Sequence, residues 1–240
     1  MNILAIGAHP DDVEGSCGGT LAKYAKQGHK VFTATTTNGN IGSATLPMDE
    51  IARIRKEEAR RAAAVIGAEY LCLDYDDEMF YDDRSVRVNM INLIRYCKPD
   101  VILTHSPHDY NPDHELTSKI VNDVAVMIPI AKIETPNKPC DKIPLLAYFE
   151  PVRGIGFIPN EYVDITDVWE TKLEMARCHE SQIAWMRHNY KANENEAKGS
   201  FMDNYEIYAR YRGIQCGVKY AEAFCMAYNA HRIVPYRVLP

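Results

Sequence analysis

The sequence predicts an α/β domain with a mostly parallel sheet. Three features carry that expectation: short apolar, β-branched runs, helical apolar patterns between them, and polar clusters where two of the runs end. Such alternation favours right-handed crossovers between neighbouring parallel strands. At 240 residues the chain fits one large domain, residues 1–240, in preference to two small ones.

Asn2-Ile3-Leu4-Ala5-Ile6-Gly7 has the length and branching of a buried strand. After a His-Pro-Asp-Asp turn, Cys17-Gly18-Gly19 leads into a short helix, Thr20 to Gln27, stopped at Gly28. Lys30 to Thr37 is the second strand, and Asn38 to Ser43 is a turn-rich loop. From Asp49 to Ile66 apolar residues recur at helical spacing, interrupted by Glu58, and the helix ends at Gly67. Tyr70 to Leu73 gives a third strand, Val86 to Cys97 a helix, and Val101 to Thr104 a fourth strand behind Pro99-Asp100. In the helix that follows, Pro112 suits the first position and Asn111 the N-cap.

Beyond Ile128 the rhythm is lost. Pro129, Pro136, Pro139 and Pro144 mark a long connection, open between lid, interface and plain loop. Leu145 to Glu150 and Tyr162 to Ile165 read as short strands, Asp167 to Arg187 as one helix, and Lys191 to Ser200 as a polar loop. Glu222-Ala223-Phe224 fits either helix or strand. No internal repeat or low-complexity tract divides the chain.

Composition narrows the function. A net charge of −6 without a basic stripe argues against a nucleic-acid partner. The seven cysteines are scattered and lack CxxC spacing, which argues against a disulfide framework and a cysteine zinc site. No apolar run is long enough to span a membrane, and the first strand begins at residue 2. A soluble, cytoplasmic protein without a leader is the expectation.

Chemistry concentrates in Ala8-His9-Pro10-Asp11-Asp12-Val13-Glu14, directly after the first strand. In open α/β sheets ligands bind at that edge. His9 and Asp12 are candidate ligands of a divalent metal, which leaves Asp11 to act on water. His114, in Asn111-Pro112-Asp113-His114-Glu115 after the fourth strand, offers a third ligand at the same edge. The bland readings are a polar turn whose Asp11 or Asp12 caps the next helix, and a helix start with acids facing its dipole. Two such clusters at one edge favour the metal site.

These motifs resemble the LmbE-like, or PIG-L, de-N-acetylases. The likeness starts at Ala8 to Asp12 with Glu14 and continues through Arg55-Lys56-Glu57-Glu58, Ile66-Gly67 and Pro112-Asp113-His114. It extends to His179-Glu180-Ser181-Gln182 and Tyr220-Ala221-Glu222-Ala223-Phe224. The resemblance implies a Rossmann-like three-layer sandwich and a zinc hydrolase acting on an N-acetylglucosamine-type sugar or conjugate. By that resemblance His9, Asp12 and His114 bind zinc (or another divalent metal), Asp11 is the general base and Asp113 orients a ligand. Arg55 is a candidate substrate contact, with an exposed helix arginine paired to Glu57 or Glu58 as the alternative. Some relatives form trimers or hexamers, so a homo-oligomer is a further possibility.

Two departures stand out. Many family members read His-Pro-Asp-His, and here the first histidine is Asn111, whose amide can donate to an oxyanion but cannot shuttle a proton. His105, His108 and His231 are candidate substitutes. The loop after the second strand reads Thr37-Asn38-Gly39-Asn40 where thiol-sugar enzymes of the family often carry charges, making Asn40 a candidate for substrate contact. Alternatives are an amidase on a larger sugar–thiol conjugate and a catalytically idle sugar binder. A dinucleotide oxidoreductase is disfavoured, since the first strand lacks Gly-x-Gly-x-x-Gly.

Overall fold

The structure, a computed structural model, describes residues 1–189, 201–228 and 232–240. Its sheet contains β1 (Asn2–Gly7), β2 (Lys30–Thr37), β3 (Glu69–Tyr75), β4 (Val101–Thr104), β5 (Leu145–Phe149), β6 (Glu161–Asp164) and β7 (Ala221–Met226). The order is β3-β2-β1-β4-β5-β7-β6. The first five strands are parallel, and β7 runs antiparallel to both β5 and β6. The sheet is therefore mixed but mostly parallel, as the alternation predicts. Among the described residues no helix is long and apolar enough to cross a membrane.

The central strands read as continuous apolar runs because both of their faces are covered. Ile3 and Ala5 point into one core with Leu21, Tyr24 and Trp169. Leu4 and Ile6 point into the other with Met90, Ile94, Ile120 and Val124. Each fully buried aliphatic side chain contributes about 1.5–3 kcal/mol. The first core is covered by α1 (Asp12–Lys26) and α5 (Trp169–Arg177), with α2 (Met48–Val65) beside α5. The second is covered by α3 (Arg84–Cys97) and α4 (Pro112–Ala125), giving three layers. α6 (Glu180–Asn189) follows α5, and α7 (Phe201–Cys216) packs on β7 and β6.

Helix α1 starts at Asp12, earlier than the sequence suggests, and breaks at Cys17 (φ −139°, ψ 15°). The expected start at Thr20 finds only its second segment. A buried ion pair bridges the break. Lys172 donates to the Gly15 carbonyl (2.7 Å) and to Glu222 (2.5 Å). The Glu222 carboxylate accepts from the amides of Gly19 (2.9 Å) and Thr20 (2.7 Å) and from the Thr20 hydroxyl (2.6 Å). Glu222 thus caps the second segment from a strand 200 residues away in sequence, supplying the acceptors that a helix start lacks.

The expected single helix from Asp167 to Arg187 is two, α5 and α6, parted at Cys178 and His179. Glu58 explains the interruption in the apolar face of α2: it is 3% exposed and accepts from the Ser181 amide (2.8 Å) and hydroxyl (2.6 Å) in the first turn of α6. The sequence assigned no element to α7, whose outward face carries Ile207, Tyr211 and Ile214, so its apolar residues mark no single side. Part of the proline-rich connection is an ordered loop gathered on buried Arg95, which donates to the carbonyls of Ile128, Ile130 and Ile133. Lys191–Ser200 and His231 lie outside the described residues.

Candidate metal centre

The register brings the two clusters together. Ile6 of β1 sits opposite Thr104 of β4, and Gly7 opposite Thr35 of β2, so these strands end at one edge. The chain turns so sharply after β1 that a Cβ on Gly7 would lie 2.9 Å from Asp12 Cβ, which only glycine allows. Asp11, within the turn, holds φ 126° and ψ −22°. A non-glycine residue there carries about 1–3 kcal/mol of strain, and such strain collects at functional sites.

His9, Asp12 and His114 converge so that one donor atom from each lies within 4.8 Å of the others. His9 Nδ1 is 3.5 Å from Asp12 Oδ2, and His114 Nε2 is 3.3 Å from Asp12 Oδ1. The opposite ring nitrogens face further carboxylates. His9 Nε2 lies 3.2 Å from Asp113 Oδ2, and His114 Nδ1 lies 3.2 Å from Asp109 Oδ2. Carboxylates behind ligating imidazoles fix ring orientation and raise ligand basicity. His105 stacks on His114, with centroids 4.0 Å apart, and its Nε2 is 3.1 Å from Asp12 Oδ2.

The donor set fits a divalent cation. Of Asp11, Asp12, Asp109 and Asp113, only Asp11 pairs with a permanent cation among the described residues, Arg55, which Asp77 shares; the other three face imidazoles. Protons stand in for the missing charge. Burial pulls His9 down, yet Asp113 and Asp12 push it up to about 10. Burial likewise opposes His114, and Asp12 and Asp109 push it up to about 9. Burial would raise Asp12, but the protonated His114 beside it holds it well below the usual carboxylate range. Burial and the neighbouring His114 lower His105 to about 4, so its ring is neutral. Two imidazoles and one carboxylate are a donor set of catalytic zinc centres, which keep a position for substrate or water.

Asp11 occupies the N-cap position of α1, yet its side chain caps nothing. Burial raises it to about 6, against the pull of Arg55 and with the push of Asp12. Arg55 is 4% exposed, so the exposed-helix alternative does not describe it. It donates to the Pro10 carbonyl (2.7 Å), to Asp11 Oδ1 (3.3 Å) and to the Gly39 carbonyl (3.3 Å). Gly39, at φ 81°, leaves that space: a Cβ there would meet Arg55 Cδ at 2.6 Å.

Asn40 is buried. Its amide donates to Asp76 Oδ1 (2.6 Å) and accepts from the Asp77 amide (3.1 Å), so both ends are engaged within the loops. Asn111 caps α4 as its position predicts, accepting from the Asp113 (2.7 Å) and His114 (3.3 Å) amides. Its Nδ2 donates to Glu78 Oε1 at 3.2 Å. His105 is buried against the cluster, and His108 is exposed. His179 is buried 3.3 Å from Glu14; burial opposes its protonation and Glu14 raises it. Sequence reasoning missed Asp109, Asp77 and Glu78. The acid-dense run Asp74-Tyr75-Asp76-Asp77-Glu78 was the available signal for the last two.

A mostly parallel α/β sheet with a histidine–carboxylate cluster at its carboxyl edge defines a protein with a candidate catalytic metal centre. The family model for PIG-L, GlcNAc-PI de-N-acetylase, matches residues 4–125. The chain belongs to this PIG-L family of LmbE-like proteins. It is 31% identical to diacetylchitobiose deacetylase of Thermococcus kodakarensis over 193 residues, 75% of this chain and 70% of that protein. It is 28% identical to 4-oxalmesaconate hydratase of Pseudomonas putida over 192 residues, 75% of this chain and 73% of that one. The structure is similar to N,N'-diacetylchitobiose deacetylase from Pyrococcus horikoshii, with TM-score 0.80 and 25% identity, covering 93% of this chain and 82% of that one.

Proposed function

We propose that this protein is a zinc-dependent hydrolase that removes the acetyl group from an N-acetylated amino sugar or its conjugate. The observation that carries the reading is the convergence of His9, Asp12 and His114 beside Asp11, in a chain 31% identical to a diacetylchitobiose deacetylase. His9, Asp12 and His114 hold the cation, with Asp113 and Asp109 orienting the two rings. A bound cation supplies Lewis acidity toward the acetyl carbonyl and lowers the pKa of water. Asp11 accepts a proton from the attacking water and returns it to the nitrogen as the C–N bond breaks. Its value of about 6 leaves it ionised at neutral pH, and Arg55 steadies it. One domain of residues 1–240 carries the whole reaction.

The likeness to a hydratase raises hydration of a carboxylated substrate as a second reading. The mouth disfavours it. Asp76 and Glu78 are exposed there, and Arg55 is already shared among Asp11, Asp77 and two carbonyls. A polyanion would meet like charge.

The test is amine release from a panel of N-acetylglucosamine conjugates, with thiol-sugar amides included, in the presence of zinc. Release that requires zinc and is lost in Asp11→Asn supports the reading, and the preferred conjugate separates deacetylase from amidase. Tightly bound zinc with no release from any conjugate would leave an idle sugar binder and overturn it.

A further inference from the structure

From the position of Glu78 we infer a further catalytic residue: its carboxylate accepts the N–H of the departing amine and stabilises the product ammonium. The inference rests on the deacetylase reading above and deepens it.

Glu78 lies in the loop after β3 with a left-handed backbone, φ 61°. That conformation ordinarily calls for glycine, and a charged side chain kept there at the rim of a metal centre points to use. Two hydrogen bonds fix it. The Glu78 amide donates to Asp113 Oδ2 (2.7 Å), the same oxygen that faces His9 Nε2 at 3.2 Å. The Asn111 amide donates to Glu78 Oε1 (3.2 Å). One Glu78 oxygen lies within 4.8 Å of donor atoms of both His9 and Asp113. Among the described residues no cation pairs with Glu78, and Oε2 takes no hydrogen bond.

Asn111 therefore has one of its two Nδ2 hydrogens committed to Glu78. Its Oδ1 caps α4 and its Nδ2 holds a carboxylate at the mouth. The pair Asn111–Glu78 sets an acceptor at the edge of the site. This suits the second half of amide hydrolysis. The water oxygen bonds to the acetyl carbon, its proton passes through Asp11 to the nitrogen, and the C–N bond breaks to give acetic acid and a free amine. Acetic acid then yields its proton to the amine, leaving acetate and an alkylammonium. Glu78 meets that nitrogen as it gains its proton and faces a full positive charge at the end. A charge-assisted hydrogen bond of this kind is among the stronger ones available.

The experiment uses E78Q and E78G on the zinc-loaded full chain. Glycine relieves the left-handed backbone, so E78G removes the carboxylate without a folding penalty. Two substrates are compared: an N-acetylated sugar amine, whose leaving group is basic, and an acetanilide, whose aniline departs without becoming an ammonium. Both variants are expected to lose about 10- to 100-fold in kcat on the sugar and to change little on the anilide. By calorimetry, glucosamine binding weakens by a similar factor while N-acetylglucosamine binding holds. Equal losses on both substrates, or unchanged glucosamine affinity in both variants, would overturn the assignment of Glu78. Absence of amine release by the wild type overturns the deacetylase reading instead, and the glucosamine binding then judges Glu78 alone.

Discussion

Two buried polar clusters in this chain are built on opposite principles. At the break in α1, Glu222 has four donors, and Lys172 has the Gly15 carbonyl as well as Glu222. Charge and hydrogen bonds close within the protein. At the carboxyl edge of the sheet, four aspartates and three imidazoles gather, and among the described residues Arg55 is the one permanent cation paired with them. Charge there closes only with added protons or a divalent ion. A buried cluster that satisfies itself is read as structure, and one that does not is read as a site. Hydrogen-bond accounting separates the two.

The largest expected effect tests the open cluster. Asp11→Asn should lower kcat by about 10²–10⁴-fold, the usual worth of a general base. Its stability should hold, since asparagine tolerates positive φ better than most residues and no cap is lost. A melting temperature that falls with the activity would break the comparison, because Asp11 would then be structural. The next effect tests the closed cluster. Glu222→Gln and Lys172→Met should each destabilise the fold by about 3–5 kcal/mol, the result of stranding a buried charge. The double variant should cost less than the sum, which denaturant unfolding of all three proteins measures. Additive losses would mean that the two side chains act separately.

What the sequence made legible follows the same division. The strands β1 and β4 were readable because layers cover both faces, so burial wrote apolar runs, and β2 because its residues are largely β-branched. His9, Asp12 and His114 were readable because each sits within a few residues of a strand end, where local motif and sheet edge coincide. The inward turn of Arg55 was not, because its partners come from two loops that meet only in the fold. Asp109 and Glu78 were hidden for a related reason: each acts on a residue that another loop or the next helix turn supplies. Glu222 was ambiguous in its own segment, since its role lies in capping α1. Helix α7 lacked a one-sided pattern, so nothing local marked it.

A third expectation sharpens the role of the carboxylates behind the rings. Asp109→Asn should weaken zinc binding by about 10–100-fold through its effect on His114, while Glu222→Gln leaves zinc affinity unchanged in whatever fraction remains folded. Chelator competition reads both. Equal affinities for wild type and Asp109→Asn would remove Asp109 from the site.

The smallest effect concerns pH and metal together. In the metal-free protein His9 and His114 are raised to about 10 and about 9, above an ordinary value of 6.5. A group whose folded pKa is raised stabilises fully below its unfolded value and loses that contribution as pH rises through the folded one. The metal-free melting temperature should therefore fall between about pH 7 and pH 10. In the zinc-loaded protein the cation replaces those protons, and binding strengthens as fewer protons must be displaced. The gap between loaded and chelated melting temperatures should widen steadily with pH, while hydrogen-exchange protection of the Gly19 and Thr20 amides stays level across chelation. A metal-free protein with a flat alkaline profile would mean that protons do not occupy the place of the ion. The edge cluster would then be self-satisfied in a way its geometry does not suggest, and the contrast between the two clusters would fail.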